Sequence, residues 1–262
     1  MAFTADWLAL REPADHAARD GALLRRAAQA TGPAPVILDL GCGTGSTVRA
    51  MAPHLPAGTR WRLVDNDPAL LALAAKSAGP EAQTLCLDLA DPDALPLEGV
   101  TLVTASALLD LMPRAWVAAL ARRLTMPFYA ALSYDGQMAW DPADPRDAPV
   151  TQAFNRHQLG DKGIGPALGP DAVAASIAIF QDEGFDVAQA DSPWQLGPDT
   201  AALHATLIDG IAAAADETGL PEAQGWGRLR RDHAARSTCT IGHGDILALP
   251  RISSTETIHA AD

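Results

Sequence analysis

An apolar run that ends in three alternating glycines, VILDLGCGTGST over residues 36–47, constrains this chain more than any other stretch. Pro35 to Leu40 reads as a short strand buried on both faces, and Ser46 to Ala52 as a helix stopped by Pro53. Between them the backbone turns through Gly41, Gly43 and Gly45. Glycine serves where the chain takes unusual torsions or where a side chain would block an approaching ligand. A strand that enters a helix through such a turn also presents backbone N–H groups and a helix N-terminus to that ligand. The phosphate-loop reading fails because no Gly-Lys-Ser/Thr follows to supply the phosphate-binding cation. The dinucleotide reading expects GxGxxG, whereas the spacing here is GxGxG.

The flanking pattern places this turn in an α/β sheet. Thr59–Val64, Thr84–Leu87, Val100–Ala105 and Phe128–Ser133 read as further strands. Helices from Pro68 to about Lys76 and from Arg114 to Leu124 alternate with them, the latter with Trp116, Leu120 and Leu124 on one face. Such alternation predicts a doubly wound, mostly parallel sheet with helices on both faces. Residues 14–30 read as a preceding helix with Pro13 near its start. Residues 134–170, rich in Gly, Pro and Asp, read as a long irregular segment of the kind that usually serves function. Beyond it come a helix to Asp182 with Gly184 as its stop, a sixth strand at Phe185–Ala190, and helices at Thr200–Glu217 and Gly225–Arg236. Cys239–Leu249 reads as the last strand, antiparallel to the rest, and STETIHAAD as a frayed tail. The expected architecture is therefore a seven-stranded sheet with an inserted lid or acceptor region. It divides into an N-terminal helical segment (1–33), an α/β core (34–133), an acceptor side (134–236) and a last strand with its tail (237–262), in one domain overall.

Acidic residues at successive strand ends sharpen the ligand class. Asp65 ends the second strand, 20 residues after Gly45, where a carboxylate can accept both hydroxyls of a ribose. Asp88 ends the third strand in LCLDLAD, and TLVTASALLDL runs into a small-residue turn at Ala105-Ser106. Open α/β sheets bind ligands at such carboxyl ends. With LDLGCGTG, VDNDP, LDLAD and TLVTASALLDL in this order, residues 34–133 resemble the class I S-adenosylmethionine-dependent methyltransferases. The resemblance implies S-adenosyl-L-methionine as cofactor. Gly41 and Gly43 would pack against its amino-acid end, Asp65 would hold the ribose, and Asn66 would lie beside the adenine. Asp88 would cap the adenine amino group, with Leu89 giving a backbone contact. Asp39 would support the turn or reach the methionine amine through water, and Ser106 would lie near the methionine moiety. From the residues alone, Asp88 serves equally as a turn cap and Asp65 as an N-cap for the Pro68 helix, while Cys42 reads as packing.

Methyl transfer from a sulfonium needs alignment above all, and a base only where the acceptor must lose a proton. The resemblance therefore carries over no universal catalytic residue. Candidates on the acceptor side are Asp110 after the fourth strand, Tyr134 with Asp135 after the fifth, and His157, Arg156, Asp161 and Lys162 in the expected loop. His157 heads them because an imidazole titrates near neutrality. No metal site is expected, since His243 and Asp245 find no third ligand at recognisable spacing. An Asn-Pro-Pro-Tyr-like tetrad, which would mark amide or base-nitrogen methylation, is missing after the fourth strand. A net charge of −13 also argues against nucleic acid as a partner, and Arg228, Arg230, Arg231 and Arg236 read as a solvated helix face. A small-molecule acceptor is the expectation, with a non-catalytic cofactor-binding scaffold as the alternative. Three scattered cysteines, no signal-peptide layout at the N-terminus and no apolar run of about 18 residues give a cytoplasmic protein outside the membrane as the default.

Overall fold

The structure, a computed structural model, describes residues 4–251. Eight strands form one sheet in the order β3-β2-β1-β4-β5-β8-β6, with β7 also paired to β8. They are β1 (Val36–Leu40), β2 (Arg60–Asp65), β3 (Gln83–Cys86), β4 (Leu102–Ser106), β5 (Phe128–Asp141), β6 (Phe185–Asp191), β7 (Trp194–Leu196) and β8 (Thr238–Pro250). The first five run parallel, and β8 is antiparallel to β5, β6 and β7. The chain reverses direction across the sheet between β1 and β4, so the loops after β1 and β4 diverge there and open a crevice.

Alternate residues of β1 feed opposite layers, as a doubly covered sheet demands. Val36, Leu38 and Leu40 pack toward α5 (Arg114–Arg123) and α7 (Ala172–Asp182), where Phe128 and Phe180 stack at 4.8 Å. Ile37 faces α2 (Gly21–Gln29), α3 (Ser46–Met51) and α4 (Pro68–Ala78). A third cluster lies beyond β5, where α6 (Asp147–Gln158), α8 (Ala201–Glu217) and α9 (Ala223–His233) enclose Trp140, Trp194 and Trp226.

Several expectations are corrected. Residues 14–30 are not one helix: α1 (Ala5–Ala18) and α2 are separated by a break at Arg19, which is extended at φ −51 and ψ 135. Pro13 sits inside α1, whose start is capped by Thr4 accepting from the Trp7 N–H at 3.2 Å. Asp20 caps α2 by accepting from the Leu23 N–H. Residues 134–170 are largely regular, since β5 runs on to Asp141 and α6 follows. Gly136, at φ +87, lies within the register shift that lets β5 continue past Tyr134. The count of strands rises from seven to eight because Trp194–Leu196, too short to show alternation, pairs with the first half of β8. Arg230 is 2% exposed rather than solvated, its guanidinium held by Asp147. The expected frayed tail lies outside the described residues. Among those described, no helix is long and apolar enough to cross a membrane.

Candidate functional site

The turn after β1 is shaped by three glycines with different tasks. Gly41 and Gly43 take φ +62 and +53, which disfavour any side chain. A Cβ on Gly43 would lie 3.1 Å from Leu8 of α1, and one on Gly41 would lie 3.4 Å from Leu108. Gly45, at φ +86, admits α4 to close approach, for its Cβ would stand 3.1 Å from the Ala74 backbone. Burial and the nearby Asp39 and Asp65 push the Cys42 thiol above its ordinary value, so this side chain is packing.

Asp65 ties the turn to the end of β2. Its Oδ2 accepts from the Gly43 N–H at 2.8 Å and its Oδ1 from the Asp67 N–H at 3.0 Å. A carboxylate has about four acceptor positions, so capacity remains for hydroxyls in front of the turn. Asp67, not Asp65, caps α4. Asn66 is exposed beside it, and Asp88, also exposed, accepts from the Ala90 N–H at 2.9 Å in the turn after β3. The Leu89 carbonyl accepts from the Trp116 indole, which fixes that turn against α5.

Asp39 is wholly buried. Its Oδ1 accepts from the Thr104 hydroxyl at 2.8 Å, while Oδ2 finds no partner even though Thr47 lies near. Burial pushes its carboxyl up to about 7, against the Thr104 bond and the charge of Arg19. Ser106, at the end of β4, accepts from Arg19 Nη2 at 2.8 Å. Ala107 follows at φ +49, a strained position for a side chain. Arg19 is a residue the sequence reading missed, because the break that aims it inward was read as mid-helix.

α1 roofs the glycine turn. Glu12 pairs with Arg49 of α3 at 2.5 Å, and His16 lies 3.2 Å from the Ser46 hydroxyl. Asp15 pairs with Arg11 and accepts from the Trp194 indole at 3.0 Å.

Beyond Ser106 lies a second group, around Tyr134, His243, Trp194, Asp110 and Arg11. The Tyr134 hydroxyl donates to Asn155 at 2.7 Å. His243, opposite Tyr134 in the β5–β8 register, sits 5.2 Å from the Trp194 ring. Burial, with Arg11 nearby, pushes its imidazole down to about 3, so the ring is neutral. A neutral ring with Nδ1 3.0 Å from the Ile241 carbonyl must donate from Nδ1, which leaves Nε2 as a lone-pair acceptor. Burial raises the Asp110 carboxyl to about 6, opposed by backbone N–H groups and by Arg11 and Lys162. His157 is not in a loop but in the last turn of α6, with Nε2 2.9 Å from Glu217 of α8. Asp161 accepts from the Gly163 and Gly165 N–H groups as a loop staple. Asp245 is committed to the Leu132 N–H, the Tyr129 hydroxyl and the Asp20 N–H. Among the described residues no group of three or more His, Cys, Asp or Glu could hold a metal ion.

A family model described as a methyltransferase domain matches residues 37–126, the segment that carries the glycine turn, Asp65 and Asp88. Over that segment the chain is similar to methyltransferase domains. A curated relative, trans-aconitate 2-methyltransferase of Streptomyces avermitilis, is 36% identical over 132 residues, covering 47% of this chain and 49% of the relative. The chain thus aligns with about half the length of that curated relative. Among solved structures, the chain is similar in fold to a putative type II methyltransferase from Anaeromyxobacter dehalogenans (TM-score 0.53, 18% identity, 89% of this chain and 98% of that one). It is also similar to a methyltransferase from Thiobacillus denitrificans solved with S-adenosyl-L-homocysteine (TM-score 0.52, 15% identity, 96% and 100%). The residues at this turn fit S-adenosylmethionine in kind: Asp65 keeps spare acceptor capacity beside the glycine backbone, and the buried Asp39 Oδ2 behind the turn is unpartnered.

Proposed function

We propose that this chain binds S-adenosyl-L-methionine and transfers its methyl group to a small-molecule acceptor. The observation that carries this reading is the bond between the Asp65 carboxylate and the Gly43 N–H, which makes the ribose acid and the glycine cradle one rigid unit. When bound, the cofactor supplies a methyl group already activated by a sulfonium. The protein then has to bind, align and exclude water. Asp65 takes the ribose hydroxyls, Asn66 flanks the adenine, and Asp88 with the Leu89 N–H meets its amino edge. Asp39 takes the amine and Ser106 lines the methionine end. Residues 34–133 thus serve the cofactor and 134–236 the acceptor.

The acceptor faces Tyr134, Asp110 and His243, with α1 as the roof that sheds water. His243 Nε2, its tautomer set by Ile241, offers a lone pair that can accept a hydrogen bond from the acceptor and so orient it, while burial keeps the ring from holding a proton. Tyr134 and Asp110 shape the same chamber, and His157 stands with Glu217 on its flank. The curated relative is named for trans-aconitate, a small carboxylate, which makes that class of acceptor the first to test. The acidic surface and the three free thiols, Cys42, Cys86 and Cys239, fit a reducing cytoplasmic setting away from nucleic acid. Titration calorimetry with S-adenosylhomocysteine and with NAD tests the reading. Binding of the first alone is expected, followed by turnover of S-adenosylmethionine with trans-aconitate as first acceptor probe. Binding of NAD without S-adenosylhomocysteine would overturn it.

A further inference from the structure

Asp110 carries a charge that no other described side chain pairs with. A single turn at Leu109–Leu111 follows β4, and Leu108, Leu109 and Met112 pack into the core beside α5 and α7. The turn leaves Asp110 near Tyr134, Arg11 and Lys162, its Oδ1 shut off from water and without a partner. Neither cation is bonded to it. Arg11 spends two bonds on Asp15 and lies over the Trp194 ring, 4.9 Å from its centroid. Lys162 is exposed and donates to the His157 carbonyl at 3.3 Å. Burial prevails over both and holds the carboxyl at about 6, so it is ionised at neutral pH. A buried charge in that condition is costly until something pairs with it. The neighbouring Asp135, by contrast, already accepts from the Gln137 backbone and side chain.

Aromatic rings form a row beside it. Phe154 stands edge-on to Tyr134 at 5.7 Å, Tyr134 to His243 at 6.2 Å, and His243 lies 5.2 Å from Trp194. One end of this row already carries a cation of the chain itself, Arg11 on the face of Trp194. Lone pairs accompany the rings. His243 Nε2 is an acceptor, and the Tyr134 oxygen, its proton given to Asn155 at 2.7 Å, keeps acceptor capacity. Burial and the charges of Asp135 and Asp110 push the Tyr134 hydroxyl up, so it stays neutral. A carboxylate, a neutral imidazole and a phenol oxygen offer three kinds of acceptor, and an ammonium brings three donors and one positive charge. We infer that the acceptor chamber contains an ammonium subsite, with Asp110 as counter-ion and His243 Nε2 and the Tyr134 oxygen as flanking acceptors, so that the small molecule received here carries an amine. This rests on the methyltransferase reading above and narrows its acceptor. Asp110 is then the residue that sets specificity, and the charge it leaves unpaired in the free protein is matched only when the right molecule enters.

Three probes on one frame read the subsite. Phenethylamine, 2-phenylethanol and 3-phenylpropionate differ in carrying an ammonium, a hydroxyl or a carboxylate on the same phenylethyl group. Calorimetry on the full chain at pH 8, where Asp110 is ionised, is run with and without saturating S-adenosylhomocysteine. The amine should bind at least about tenfold tighter than the carboxylate, with the alcohol between. Asp110→Asn should weaken the amine by about 10- to 100-fold, the range for a hydrogen bond to a charged group, and leave the carboxylate unchanged or tighter. S-adenosylhomocysteine affinity should stay at the parent's value in that variant, which shows that it is folded. trans-Aconitate, which has no cationic head, should turn over faster in Asp110→Asn than in the parent. A carboxylate bound as tightly as the amine, or no binding of any probe, would overturn the inference on the unaltered protein alone. Unchanged amine affinity in Asp110→Asn would overturn it too, and equal weakening of all three probes would do so in favour of a purely structural acid. Failure of the unaltered protein to bind S-adenosylhomocysteine would instead overturn the methyltransferase reading, whatever the ranking of the probes.

Discussion

Replacing Asp65 by alanine separates what this carboxylate does for the fold from what it does for the ligand. In the free protein it accepts two backbone hydrogen bonds, at 2.8 Å from Gly43 and 3.0 Å from Asp67. Hydrogen bonds to charged groups are each worth about 1.5–3 kcal/mol. The residue is 9% exposed, so water can recover part of what is lost. A net destabilisation of about 2–4 kcal/mol follows, which is roughly 5–10 °C in melting temperature for a chain of this size. Urea unfolding should show a lower midpoint with an unchanged slope. The ligand term comes on top, and S-adenosylhomocysteine affinity in the folded variant should fall by about a further 1.5–3 kcal/mol. An unaltered urea midpoint would refute the strut role. A lowered midpoint with full affinity would refute the ribose role and leave Asp65 as a fold residue only. Asp65→Asn, which keeps one acceptor oxygen, should lie between in stability.

Two further outcomes are expected. Because burial holds the Asp39 carboxyl at about 7 in the free protein, an ammonium can be received only after that proton leaves. S-adenosylhomocysteine affinity should therefore rise as pH climbs toward about 7, level off above it, and lose at most about tenfold per pH unit below. Asp39→Asn should remove that dependence, and a flat profile between about pH 5.5 and 8 in the unaltered protein would contradict it. Separately, Asp147→Ala strands the Arg230 guanidinium, which is 2% exposed and donates to Asp147 and, at 2.7 Å, to the Pro142 carbonyl. Chemical denaturation should register a loss of about 3–5 kcal/mol, much of it regained in Asp147→Ala/Arg230→Met. A single variant as stable as the parent would show that this buried pair is not what joins α6 to α9.

The parallel half of the sheet was legible because its signals are local. The apolar run 36–40, the glycines, and the acids at 65 and 88 sit within a few residues of the strands they end. Asp88 illustrates how far local reading reaches: the turn bond to Ala90 foreseen for it is present, and the same residue still faces outward, as a ligand group must. What stayed hidden depends on partners far along the chain. His243 was weighed only as half a metal site, since its neutral ring and set tautomer come from Ile241, Trp194 and α1 closing around it. Arg19 was folded into a continuous helix because alanine-rich flanks mask a break that Ser106, 87 positions on, makes worthwhile. Arg230 looked solvated because nothing near it in sequence announces Asp147.

The place of β8 in the sheet bears on how the chain is made. It lies between β5 and β6 and also carries β7, so three strands wait for one that leaves the ribosome after all of them. Until then the long β5 presents an open row of backbone donors and acceptors, and α6, α8 and α9 have no finished surface to pack upon. Pairings of such sequence separation close slowly. During synthesis the nascent chain therefore passes through a stage with its nucleoside half assembled and its outer edge unguarded, and that is where a holding chaperone would engage it.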